Sequence, residues 1–325
     1  MRLEILIPTF KRPALVREAL SSIARAAPPH AMPVSVTVVN NDTEPLELEP
    51  AFFDRPYPVR ILDERRRGKS AALNAGIAAS TADYIGLIDD DEQIARDWLQ
   101  VVERALEGRQ FDFIGGPAVL QPLADAPGWL PPGYQAVLGG AVCGPAPIPY
   151  GPGFPGTLMG GNAVIARSLL LSVGPYCTSL GPRPDRRLCS REDEDMYWRL
   201  LDAGARGLYL PDLVVHHHVH PERLQKRYFR SRCFWDGVSK AVLSRHRPSG
   251  TPQVGGRPRP ALVEGVGSLV AWAIAFLPGG SAPRRTAGEL PAWHLAGRLY
   301  GRLWHREAPA RSPRAWRDEV AGQPR

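Results

Sequence analysis

Compact apolar runs that stop at polar clusters dominate the first third of the chain. Residues 3–7, 34–39, 59–62 and 84–88 are such runs, the second β-branched nearly throughout, and they predict buried strands. Between them, 14–26 places Leu15, Leu20 and Ile23 for a helix, and the alanine-rich stretch 71–79 predicts another. A further helix is expected at Trp98-Leu99, with Asp97 as its cap. Strands alternating with helices imply an α/β fold, a mostly parallel sheet with helices on both faces. Strands are also expected at 111–119, 160–165, 208–210 and 213–215, and helices at 168–173 and 192–203. The Pro- and Gly-rich stretch 117–156 has little periodicity and reads as a functional or mobile loop. No internal repeat is present.

The run at 84–88 ends in Asp89-Asp90-Asp91-Glu92. A buried strand cannot keep unpaired carboxylates, so these acids belong at its C-terminal edge, where open α/β sheets bind ligands. They form either a solvated acidic turn or a hard-oxygen site for Mg²⁺ or Mn²⁺ bridging to phosphates. A second acidic cluster, Glu192-Asp193-Glu194-Asp195, opens a helix. It either complements the helix dipole or presents one or two carboxylates to a cleft, one of them as a general base. The third cluster, His216-His217-His218, follows a strand and is either a polar strand end or a source of one metal- or phosphate-facing imidazole.

Composition narrows the class without deciding it. The 325 residues are 44% hydrophobic and 22% charged, which is globular and long enough for a catalytic domain with an appendage. The net charge of +7 comes mostly from arginine, a residue suited to phosphate but also common in some genomes. Cys143, Cys177, Cys189 and Cys233 lack CxxC spacing, so a reduced setting is expected. No secretory signal is evident at the start, and the apolar stretch 262–277 is short for a membrane span.

Taken in order, these motifs resemble those of the inverting GT-A glycosyltransferases of glycosyltransferase family 2, over about residues 3–220. Ile5-Leu6-Ile7-Pro8-Thr9-Phe10-Lys11-Arg12 resembles the opening strand and nucleotide loop, and Val38-Val39-Asn40-Asn41-Asp42-Thr43 the nucleobase turn. The run from Gly68-Lys69-Ser70 to Gly76-Ile77 resembles the next donor motif, and Asp89-Asp90-Asp91 falls on the DxD motif. Gly160-Gly161-Asn162-Ala163 resembles the acceptor-side strand and Glu192-Asp193-Glu194-Asp195 the ED motif. Pro211-Asp212-Leu213-Val214-Val215-His216-His217 resembles the strand ending in a metal- or diphosphate-facing histidine.

The resemblance implies a GT-A catalytic domain over 1–221, with a donor half at 1–116 and an acceptor half at 117–221, followed by a basic, mainly helical region at 222–325. It implies a nucleoside-diphosphate sugar donor, a divalent cation (Mg²⁺ or Mn²⁺), and a glycan, lipid-linked or natural-product acceptor. Asp193 would be the general base, its carboxyl raised by Glu192, Glu194 and Asp195. Asp91, with Asp89 and His217, would hold the ion. Pro8, Thr9, Arg12, Asn41, Arg67, Lys69, Asp89 and Asp90 would lie on the donor side, Asn41 facing the base, and Asn162, Glu192 and Asp195 on the acceptor side. Asn40-Asn41 stands where Asp is common, and Arg191 where Gly often precedes the ED motif, which loosens the nucleotide and the acceptor entrance respectively.

Residues 223–247 carry Arg223, Lys226, Arg227, Arg230, Arg232, Lys240, Arg245 and Arg247 against Asp236 alone, interleaved with Tyr228, Phe229, Phe234 and Trp235. This region either packs on the catalytic domain or meets an anionic membrane through 222–277; no recognised motif supports nucleic acid. Cytoplasmic residence is expected, with a peripheral contact at the inner membrane face left open. Two other functions are weighed: a sugar-phosphate nucleotidylyltransferase, which would want a Gly-rich loop after the first strand, and a non-catalytic glycan-binding scaffold, which would have no reason to keep both acidic clusters.

Overall fold

Strand β1 (Leu3–Thr9) is buried along its whole length. In this computed structural model, which describes residues 1–53, 56–183, 185, 188–246 and 281–304 and positions 267, 273 and 316, the rest of the fold is built around it. β1 lies between two parallel neighbours, β2 (Val34–Asn40) and β4 (Tyr84–Leu87), and β3 (Val59–Asp63) extends the sheet beyond β2. Beyond β4, β9 (Ala163–Ala166) runs antiparallel between β4 and β6 (Phe113–Gly115). β10 (Gly207–Tyr209) and the short β8 (Ile148–Pro149) complete the order β3-β2-β1-β4-β9-β6-β10-β8.

Alternation along β1 divides the core as a period of two requires. Leu3, Ile5 and Ile7 join helices α1 (Pro13–Arg25) and α3 (Trp98–Leu106) on one face. Leu6 joins α2 (Lys69–Ala79), α4 (Arg167–Val173) and α5 (Glu192–Asp202) on the other. The expected α/β architecture with helices on both faces is therefore present. Asp97 stands at the N-cap of α3, the position expected for it, without a side-chain capping bond.

Two expectations about strands change. The run 111–119 is not one strand: it breaks at Gly116-Pro117 into β6 and β7 (Ala118–Pro122), which belong to different sheets. A Cβ on Gly116 would overlap the Leu213 carbonyl, so the chain crosses there at backbone-to-backbone distance. The histidine run does not follow a strand but lies inside one. β11 (Val215–Val219) sits between β5 (Glu92–Ile94) and β7 in a second, three-stranded sheet.

Asn162 locks the two sheets together and is fully buried. Its Nδ2 donates to the carbonyls of Pro117 at 3.0 Å and Leu213 at 2.5 Å, and its Oδ1 accepts from Trp98 Nε1 at 3.0 Å. It was expected on the acceptor side; the structure instead spends its amide on the fold, because three backbone and indole groups in a water-free place need partners.

After β11, a single 3-10 turn (Pro221–Leu224) leads into helix α6 (Lys226–His246), which packs on α7 (Ala282–Trp304). Gly237 and Gly297 allow this: a Cβ on either would overlap the facing backbone, at His294 and Phe234. Phe229 is fully buried and meets Trp129 edge-on at 5.2 Å, tying α6 to the segment that follows β7. Much of the basic run is also engaged. Arg230 pairs with Glu289 at 3.0 Å, Arg232 donates to the Leu188 carbonyl at 3.0 Å, and Arg245 donates to the Gly301 carbonyl at 2.7 Å. Arg230 and Arg245 thus hold α6 to α7, while Arg232 and Phe229 hold it to the preceding part of the chain. Among the described residues, no helix is long and apolar enough to cross a membrane. The Pro- and Arg-rich stretch 245–260, a linker by its composition, and the apolar stretch at 262–277 lie outside the described residues, apart from positions 245, 246, 267 and 273.

Replacing Asn162 with Ala leaves the Leu213 carbonyl without its donor, removes one of the two donors to the Pro117 carbonyl, which keeps the Val215 N–H, and takes the acceptor from the Trp98 indole. A loss of about 2–4 kcal/mol is expected in urea unfolding. A loss under about 0.5 kcal/mol, the range of a neutral surface change, would contradict the locking role.

Candidate active site

Because β1, β2 and β4 run parallel, their polar ends share one rim. Thr9 pairs in register with Asn40, and Asp89-Asp90-Asp91 follows β4 directly. Asp90 and Asp91 are buried there. Thr9 Oγ1 donates to Asp90 at 2.7 Å, and Arg12 Nη1 lies 3.1 Å from Asp90 and 3.4 Å from Asp91. Burial pushes the Asp90 carboxyl up to about 6 against the pull of Arg12, and Asp91 adds to the rise. Burial acts on Asp91 in the same sense, but His217, Arg223 and Arg12 together outweigh it and hold that carboxyl well below the usual range.

Alternation along β11 selects one histidine. His217 is buried, with Nε2 3.6 Å from Asp91 Oδ1, whereas His218 turns to Glu18 at 3.2 Å. Arg223, on the turn after β11, pairs with Asp91 and donates from Nη1 to His217 Nε2 at 2.9 Å. The other ring nitrogen of His217, Nδ1, is buried without a hydrogen-bond partner. Arg223 was counted with the C-terminal basic run; the structure makes it part of this site.

The second acidic cluster arrives on α5. Of its four acids, Glu192 and Asp193 face the rim. Glu194 pairs with Arg191, and Asp195 pairs with Arg199 at 2.8 Å. Lys69, at the start of α2, lies between the clusters, 2.7 Å from Asp89 Oδ1 and 3.6 Å from Glu192 Oε1. Burial would lower the Lys69 ammonium, but Asp89, Asp193 and Glu192 raise it well above its ordinary value. Asp193 lies against Gly160, where a Cβ would overlap its carboxylate, and its Oδ1 has no partner. Burial first, then Glu192, pushes the Asp193 carboxyl up to about 8, with Lys69 opposing. Glu194 and Asp195 are not among the main causes, which corrects the expectation that all three neighbours share the effect.

Other predicted residues take supporting places. Asn41 holds the loop after β3: its Nδ2 donates to the carbonyls of Glu64 at 2.7 Å and Arg66 at 2.8 Å, and its Oδ1 accepts from Gly68 N–H at 2.7 Å. It was expected to face a nucleobase; here both ends of its amide are engaged within the chain. Pro8 is buried inside β1, and Arg67 is exposed beside the rim. Glu92, which the motif pattern did not single out, is buried and accepts from Asp89 N–H at 3.0 Å. Burial and the charges of Asp89 and Asp91 keep its carboxyl well above the ordinary range.

The donor set fits a divalent ion only in part. Asp91 and His217 offer a hard oxygen and an imidazole close together, but Asp89, expected as a third ligand, is turned to Lys69. Among the described residues, no group of three or more His, Cys, Asp or Glu could hold a metal ion. Two protein ligands suit an ion whose remaining positions are filled by phosphate and water.

Residues 4–159 match the model of Glycosyl transferase family 2. This match, over a little under half of the chain, supports a glycosyltransferase of family 2. It is 30% identical over 210 residues to the pre-mycofactocin glycosyltransferase of Mycobacterium tuberculosis, covering 64% of this chain and 40% of that protein. Over 263 residues it is 27% identical to the succinoglycan biosynthesis protein ExoM of Rhizobium meliloti, covering 78% of each. The chain thus spans about two fifths of the length of the first curated relatives it matches. Among solved structures, the mannosyltransferase PcManGT of Pyrobaculum calidifontis, in complex with GDP-Man and Mn²⁺, superposes with a TM-score of 0.60 at 19% identity, covering 93% of this chain and 87% of that one. That likeness shows the fold, and both findings agree with the resemblance drawn from the motifs.

The raised Asp193 carboxyl carries a stability test. A group whose carboxyl titrates higher in the folded state than in the unfolded chain destabilises the fold as pH rises above its unfolded value near 4, and the cost levels off above about 8. Asp193→Asn removes that charge. Its melting temperature should match the parent near pH 4, exceed it increasingly toward pH 8, and stay level beyond. A difference that does not change with pH would contradict the raised carboxyl.

Proposed function

We propose that this protein is a metal-dependent, inverting glycosyltransferase that moves a sugar from a nucleoside-diphosphate donor to an acceptor hydroxyl. The observation that carries the reading is a single carboxylate, Asp193, with an unpartnered oxygen and a carboxyl raised to about 8, set across Lys69 from the acids at the end of β4. Such a group takes up a proton near neutral pH better than an ordinary carboxylate. The family match favours glycosyl over nucleotidyl transfer and over a scaffold role.

In this reading, the first 116 residues hold the donor and residues 117–221 face the acceptor. Asp91 and His217 would hold Mg²⁺ or Mn²⁺. When bound, that ion supplies positive charge to the departing diphosphate. Lys69 and Arg12, fixed by Asp89, Asp90 and Asp91, contribute cationic charge on the same side. Asp193 Oδ1 accepts the acceptor's hydroxyl proton. The acceptor oxygen then bonds to the anomeric carbon as the bond to the diphosphate breaks, and the nucleoside diphosphate leaves with the electron pair. One base and one direction of attack give inversion.

Asp193→Asn should lower kcat by about 10²–10⁴-fold while donor binding stays within about threefold. In the parent, kcat/KM should rise with pH toward about 8, because the base acts when ionised. UDP-, GDP- and dTDP-sugars, tested by thermal shift with and without Mn²⁺, should reveal a stabilising pair whose metal-dependent part disappears in Asp91→Ala. Full transfer by Asp193→Asn, or a metal response unchanged in Asp91→Ala, would refute the corresponding assignment.

A further inference from the structure

A cavity of about 1390 Å³ opens between the 118–159 segment and helices α6 and α7, and through Gly139, which lies against the His217 ring, it borders the Asp91–His217 rim. Its floor includes Thr157 and Met159, which lead directly into Gly160, where Asp193 rests. Arg191 and Glu194, which flank Glu192 and Asp193 at the start of α5, also line it, so the cavity adjoins the turn that carries the proposed base. Leu120, Tyr134 and Leu295 give it an apolar side. The other side is charged, with Arg191 and Glu194 from the start of α5, Lys240 from α6, and His294 and Arg298 from α7.

The ionic arrangement on that side is unbalanced toward the cations. Arg191 takes the two nearby acids, pairing with Glu194 and lying 2.8 Å from Asp236. His294 Nε2 at 3.3 Å and Ser190 Oγ at 3.1 Å also reach Asp236. Lys240 is left with a loose pair, 3.8 Å from a Glu194 that already serves Arg191. Burial lowers the Lys240 ammonium, and Arg191 and Arg298 lower it further against the pull of Glu194 and Asp236. An ammonium held down by neighbouring cations gains by meeting an added anion. On the floor, Thr157 Oγ1 is buried without a hydrogen-bond partner. It is a second unmet polar group within the same cavity.

We propose that this cavity is the acceptor subsite and that it takes a phosphate-bearing acceptor, the phosphate lying against Lys240 and its cationic neighbours while the reacting hydroxyl reaches Asp193. The proposal rests on the glycosyltransferase reading and adds the substrate class. A phosphate suits the site because it carries more charge than a carboxylate and accepts from several donors at once. It could belong to a lipid-linked acceptor, whose chain would follow the apolar side, or to a soluble sugar phosphate.

The test uses the full chain with the donor site filled by whichever of UDP, GDP or dTDP binds with Mn²⁺. Geranyl phosphate, glucose 1-phosphate and the neutral octyl glucoside are titrated by calorimetry into the parent, Lys240→Gln and Lys240→Arg. At least one phosphate probe should bind, weaken about tenfold or more in Lys240→Gln and recover in Lys240→Arg, with nucleotide affinity unchanged. Preference for geranyl phosphate identifies the lipid-linked source, and preference for glucose 1-phosphate the soluble one. Equal binding to parent and Lys240→Gln, octyl glucoside binding as tight as either phosphate, or no phosphate binding would overturn the proposal. If no nucleoside diphosphate binds, the glycosyltransferase reading fails, and the dependence on Lys240 still judges the anion site.

Discussion

The Lys69 ammonium, held between Asp89 and Glu192, is the interaction on which the site depends. The fold brings Asp89, Asp90, Asp91, Glu92, Glu192 and Asp193 to one cleft, most of them out of water. Without fixed cations, such an arrangement would repel itself or stay protonated throughout. Three cationic side chains share the task. Lys69 spans the two acidic clusters, Arg12 reaches Asp90 and Asp91, and Arg223 closes on Asp91 from the second sheet. The result is a spread of acidities rather than a uniform one. Asp91 is held well down, Asp90 rises to about 6, and Asp193 rises to about 8. Environments that drive carboxylates apart in this way mark acid–base roles.

Close backbone approach brings the clusters together. Gly160 and Gly161, leading into β9, have no Cβ because the carboxylates of Asp193 and Glu92 occupy that space. Gly116 lets β7 leave the main sheet beside Leu213, and Asn162 then secures the crossing. β11 can thus present His217 to Asp91 while its neighbour His218 faces α1. The C-terminal helices line the cavity that the 118–159 segment opens onto, so the region after residue 221 shapes that cavity as well as packing on the rest of the chain.

Much of the rim was legible in the chain because β1, β2 and β4 are buried on both faces and their apolar runs must stop where the acids begin. The two acidic clusters were legible for the same reason: burial makes such residues conspicuous. What escaped depends on contacts distant in sequence. Asn41 and Asn162 look like ligand-facing amides, yet each satisfies backbone groups of loops far along the chain. β11 was hidden because histidines interrupt the hydrophobic pattern that marks a strand, although their burial alternates. Arg223 belonged to a basic run by composition, and only the return of the chain beside Asp91 gives it a place in the site. The strand expected at 111–119 failed at Gly116-Pro117, where a residue without a Cβ meets one without an N–H.

The central claim, that Lys69 stabilises the crowded carboxylates, is tested most directly by the pH dependence of stability in Lys69→Met. A lysine whose ammonium is raised on folding stabilises the protein below its unfolded value, provided that the carboxylates it serves are ionised. The variant should therefore fall below the parent by less near pH 4 than at pH 8, because Asp193, raised to about 8, ionises across that range and adds to the charge that Lys69 offsets. A deficit that stays constant across that range, or no deficit at pH 8, would contradict the account.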